Sequence, residues 1–218
     1  MGQEGQVPRT DDKAEGGTGR LKAFSDGVFA LAITLLVLDL KIPALIRVTP
    51  TALADALAYM WPSYLTLIFS FITILIMWVY HHRLFQSVQT AGTALLFTNG
   101  VLLLLVTLVP FPTGLLGNYL TTPAAPVACA AYAGFFVLID SAYSLLWWVV
   151  YRQETGGRVR RARLPKGMAI SFLGIPCFII AAAVALRVPL LSLGICAALW
   201  AVWAITARTP HLPQGRSA

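Results

Sequence analysis

Six long apolar blocks divide this chain and decide what it can fold into. An α-helix rises about 1.5 Å per residue, so about 20 apolar residues cross the ~30 Å hydrocarbon layer of a bilayer. The blocks run from Leu21 to Ile42, Trp61 to Tyr80, Ala91 to Phe111, Ala125 to Tyr151, Gly167 to Leu186 and Leu190 to Ala207. Of the 218 residues, 58% are hydrophobic and only 11% charged, whereas an ordinary soluble domain carries about 25% charged residues. A soluble fold has no interior large enough to hide this much apolar surface. The expected fold is therefore all-α: an integral membrane protein with six transmembrane helices. Residues 1–19, polar and Gly-rich, read as a disordered cytosolic tail, residues 20–207 as the transmembrane domain, and residues 208–218 as a short cytosolic tail.

Local signals place the span ends. Pro43 closes the first block, and Asp26 and Asp39 bracket its uncharged stretch from Gly27 to Leu38. That stretch is shorter than a lipid-facing span needs, so neighbouring helices are expected to shield this helix. Thr49 and Pro50 have the order of an N-cap and a first-turn proline, which predicts a short helix to Tyr59. The second span begins and ends on aromatic residues, Trp61 and Tyr80, as interface belts do. Pro110, Phe111 and Pro112 are expected to close the third.

Charge sets the orientation. With both termini inside, the cytosolic segments hold 13 Lys and Arg and the external loops hold three: Lys41, Arg47 and Arg187. Basic residues concentrate on the cytosolic side of membrane proteins, so both termini are expected there. The segment 152–166, with six basic residues, is the strongest marker, and its cations would also suit anionic lipid headgroups. The net charge of +7 is thus a topology signal, and nucleic acid is not an expected partner.

Few residues carry chemistry. Cys129, Cys177 and Cys196 lie inside apolar blocks and read as small fillers. No nucleophile elbow, phosphate loop or metalloprotease motif is present, so no enzymatic activity and no cofactor are expected. His81 and His82 are adjacent; on a helix they point about 100° apart, a poor geometry for one metal ion. Asp140 lies inside the fourth block. An acid at membrane depth is a candidate for a proton relay, or it accepts bonds from Ser141, Tyr143 or another helix.

The first block is the most informative. On a helix, Gly27, Leu31, Thr34, Leu35 and Leu38 fall on one face, with Asp26 nearly opposite. This stripe either packs inside its own bundle or, with several copies around an axis, forms hydrophobic rings and a ring of hydroxyls along a pore. Periodicity leaves both open, as it leaves open a transporter using Asp26, Asp140 and the histidines, or a scaffold without flux.

Arg20-x-x-x-Phe24-Ser25-Asp26, followed by Gly-Val-Phe-Ala-Leu-Ala-Ile-Thr-Leu-Leu-Val-Leu, closely resembles the first-helix signature of the transmembrane protein 175 family, the endolysosomal potassium channels and their prokaryotic relatives. A single six-helix unit is similar to the prokaryotic members, which places the chain in a prokaryotic cell membrane. The resemblance implies a homotetrameric potassium channel, with potassium preferred over sodium. Its pore is lined by the first helix and has no backbone-carbonyl filter. Carried over by position, Leu31, Leu35 and Leu38 would form the constriction and Thr34 the selectivity element. Position 31 is Leu where many relatives have Ile. The resemblance also places Trp78, His81, His82 and Asn99 in regions expected to support Asp26 and to tie the first helix to the outer bundle. Permeating monovalent cations and the lipid bilayer are the only small partners implied.

Overall fold

The computed structural model describes residues 10–154 and 166–206. Residues 1–9 of the expected tail 1–19, the whole of the expected tail 208–218, and most of the basic segment 152–166 lie outside the described residues. Eight α-helices follow in order: α1 (Thr10–Leu35), α2 (Pro50–Tyr59), α3 (Trp61–Gln86), α4 (Thr93–Leu108), α5 (Pro110–Tyr119), α6 (Ala125–Glu154), α7 (Lys166–Ala185) and α8 (Pro189–Thr206). Among the described residues, six helical segments are long and apolar enough to cross a membrane, with α4 and α5 together forming the third, Thr93–Tyr119. An even number of crossings returns the chain to the side it started from. We call that side the terminal face.

The spans follow the apolar blocks within a few residues except at three places. First, α1 begins at Thr10, well inside the stretch expected to be a tail. Secondly, its last apolar turn tightens into a 3-10 helix at Leu36–Asp39. Thirdly, Pro110 and Pro112 do not close the third span. Val109 keeps helical angles (φ −54°, ψ −37°), and α5 starts at once with Pro110. A proline in a first turn removes a donor that has no intrahelical partner anyway, so the chain bends there and continues. At α2 the expectation holds: Thr49 Oγ1 accepts the Ala52 N–H at 3.1 Å and caps the helix. None of the α2 residues is buried.

The core is built around α6, which packs on α4, α5, α7 and α8. It is strongly aromatic. Tyr80 lies 4.5 Å from Trp203 between ring centroids, Phe136 lies 5.0 Å from Trp200, and Tyr143 meets Trp203 at 5.3 Å. Large rings matter here because helices in lipid associate through packing and hydrogen bonds, without the hydrophobic drive available in water. Cys129, Cys177 and Cys196 are free thiols. Helix α1 sits at one side and packs on α3 and α4.

The face of α1 and its anchoring network

Two opposite faces of α1 have opposite fates. Leu21, Ser25, Phe29, Ala32 and Leu36 recur every three or four residues and are buried, as one helical stripe facing α3 and α4 should be. The expected stripe is not covered by its own bundle. Leu31 and Leu38 are 55% and 72% exposed, Gly27 and Thr34 are exposed, and Leu35 is half-buried at the edge. The 3-10 turn advances each residue by about 120° in place of 100°, which brings Val37 to the surface as well. Beside the stripe, Ile33, Thr34 and Val37 form an apolar groove of about 420 Å³ with Leu67, Ile68 and Phe71 of α3.

Thr34 is the polar member of this face. Its hydroxyl donates to the Leu31 carbonyl at 2.8 Å. The hydroxyl hydrogen is therefore committed to backbone, and the remaining lone pairs of Oγ1 point outward as acceptors. An acceptor of this kind suits a cation.

The Ser25-Asp26 pair anchors the other side. Trp78 of α3 donates its indole N–H to Asp26 Oδ1 at 2.8 Å. The His81 ring nitrogen Nε2 lies 2.8 Å from Asn99 Oδ1, and Asn99 Nδ2 donates to Ser25 Oγ at 3.0 Å. Ser25 in turn donates to the Leu21 carbonyl at 2.9 Å. Because the Asn99 amide nitrogen is spent on Ser25, its oxygen must accept, so His81 Nε2 carries the hydrogen. Three helices are joined by this directed chain. His81 is further held between Phe85, stacked at 4.2 Å, and Phe29, at 5.3 Å.

Of the residues expected to support Asp26, only Trp78 bonds it directly. His81 and Asn99 hold Ser25 instead, and His82 is exposed, with its ring 5.5 Å from that of Trp78. Arg20 and Phe24 are exposed and stand outside this network. Among the described residues, no group of three or more His, Cys, Asp or Glu side chains could hold a metal ion. Asp140 is buried, but neither Ser141 nor Tyr143 bonds it: Ser141 donates to the Val137 carbonyl and Tyr143 to the Met77 carbonyl, each at 2.7 Å. Ser141 thus bonds back to its own helix and Tyr143 ties α6 to α3.

Comparison with known proteins places this arrangement. A potassium channel of Chamaesiphon minutus is 42% identical over 191 residues, covering 78% of this chain and 94% of its own. The chain belongs to the TMEM175 family. The family model described as endosomal/lysosomal potassium channel TMEM175 matches residues 20–110, which hold α1 from Arg20 onward and the Trp78, His81 and Asn99 partners. A potassium channel of Streptomyces collinus is 46% identical over 136 residues, 62% of this chain and 65% of its own. The crystal structure of a lysosomal potassium-selective TMEM175 homolog from Chamaesiphon minutus superimposes with a TM-score of 0.77 at 40% identity, covering 88% of this chain and 98% of that one. This chain is thus an all-helical, multi-pass membrane protein of the TMEM175 family.

Proposed function

We propose that the chain is one subunit of a potassium channel that conducts potassium in preference to sodium, passively, through a central pore formed by four copies of α1. The observation that carries this reading is the division of α1 into two faces. Ser25 and Asp26 fasten one side to α3 and α4, while Leu31, Thr34 and Leu38 face away from the protomer. Rings of Leu31, Leu35 and Leu38 would narrow and dewet the pore, and four Thr34 oxygens would meet a partly dehydrated cation between them. The family resemblance supports the count of four copies. The channel domain spans residues 20–207, with polar tails at 1–19 and 208–218. Both termini lie in the cytosol of a prokaryotic cell, whose plasma membrane holds the protein. Arg20 and Phe24, exposed on α1 before Ser25, complete the signature.

The other class of mechanism is a transporter that uses intramembrane acids. Asp26 is already engaged by Trp78, which favours a fastening role for it. The two classes differ in flux. In vesicles reconstituted with the purified protein, potassium efflux through a channel rises with the gradient without saturating. Low-turnover flux that saturates would overturn the proposal.

A further inference from the structure

Asp140 sits in the middle of α6 with 1% of its surface exposed, and neither carboxylate oxygen has a hydrogen-bond partner among the described residues. Its approach to α7 is close: a Cβ added at Gly174 would collide with Asp140 Oδ2. The glycine is what lets the carboxyl lie against the α7 backbone. No cation is at hand to balance a charge there. Residues 93–119, 125–151, 167–186 and 189–206 hold no Lys, Arg or His. On α3, His81 is engaged with Asn99, His82 is exposed, and half-buried Arg83 lies one turn past Tyr80 toward the terminal face. The titratable side chains within electrostatic reach are Tyr80 of α3 and Tyr143 of α6 itself, and α7 offers Gly174 and Ser171. A carboxylate left bare at this depth is far costlier than a neutral acid.

The surroundings extend in one direction. Asp140, Ser144, Trp147 and Tyr151 recur at four, three and four residues on α6 and are all buried. They form a single stripe running toward the terminal face. Ser171 lies one turn from Gly174 on α7, toward the same end. Among the described residues, Ser144 Oγ and Trp147 Nε1 are buried without hydrogen-bond partners, and Ser171 faces Tyr80. Polar groups at these spacings share one helix face and lie within the reach of a single bridging water.

We propose that Asp140 is a proton-binding site of the outer bundle, separate from the α1 face, and that the Ser144-Trp147-Tyr151 stripe with Ser171 opposite is its route to the terminal face. The site rests on α6 and α7 and stands whether or not α1 lines a pore.

Infrared spectroscopy of the full-length protein in lipid vesicles at neutral pH tests this. The expected result is a protonated-carboxyl band that shifts when aspartate side chains carry 13C, is lost in Asp140→Asn, and is unchanged when potassium is replaced by a bulky organic cation. In heavy water the band should shift promptly in the native protein and more slowly in the Ser144→Ala, Ser171→Ala double variant. Should Asp140→Asn fail to assemble, Ser144→Ala alone should still move the band, because it changes the neighbour of the same carboxyl. Absence of a band assignable to Asp140 would overturn the site. A band that appears only once potassium is withdrawn would show an alkali cation there instead, and equal exchange rates in the double variant would overturn the route.

Discussion

The Trp78 indole N–H reaches Asp26 Oδ1 at 2.8 Å across 52 residues of sequence, and this bond sets which way α1 turns. With Asp26 and Ser25 held against α3 and α4, helical geometry directs Gly27, Leu31, Thr34 and Leu38 away from the protomer.

Asp26→Ala removes the acceptor and leaves the indole donor unpaired, at a cost of about 1–3 kcal/mol. The oligomer should dissociate at lower temperature, as read by size-exclusion chromatography after heating. Asp26→Asn keeps an oxygen in place and should be milder. Ion selectivity of channels that survive should be unchanged, because Asp26 lies off the exposed face.

Asn99 is bonded on both sides, to His81 and to Ser25, so Asn99→Ala should destabilise more than Ser25→Ala. Each orphaned buried group costs about 1–3 kcal/mol. The double variant should lose less than the sum of the two, since both changes break the same bond. Thermal melts of the four proteins form the cycle that checks this.

Leu31 on α1 and Leu36, which opens the 3-10 turn after it, should behave oppositely. Leu36 is fully buried and Leu31 is 55% exposed. Leu36→Ala should cost about 2–5 kcal/mol through the cavity it leaves, whereas Leu31→Ala should barely move the melting temperature and should raise conductance. Melting curves beside single-channel amplitudes separate the two effects.

Gly174→Ala should destabilise by about 1–3 kcal/mol, because its methyl group would overlap Asp140. The Asp140→Ala, Gly174→Ala double variant should recover much of that loss. Lack of recovery in thermal melts would mean that the two residues do not meet.

The spans were legible because apolar length is a one-dimensional signal, and so was the α1 stripe, because its period is that of a helix. The pairing of Ser25 with Asn99, 74 residues away, was not: periodicity gives the face of each helix but not which helices meet. Trp78, His81 and Asn99 were candidates because a buried Asp26 needs donors, and the family resemblance placed them in the same regions. The Pro110-Phe111-Pro112 reading failed because a proline that stops one helix is equally at home starting the next. The 3-10 turn at Leu36–Asp39 has no sequence mark, and it changes which residues share the face with Leu38.

The central claim, that α1 lines a potassium-selective pore, is tested most directly by planar-bilayer recording of the purified protein in opposed potassium and sodium gradients, beside Thr34→Ala and Leu35→Ala. The account predicts unitary currents reversing toward the potassium equilibrium potential, a reversal moved toward zero in Thr34→Ala, and larger unitary currents in Leu35→Ala. Native currents whose reversal and amplitude are unaffected by either substitution, with the oligomer intact, would contradict it.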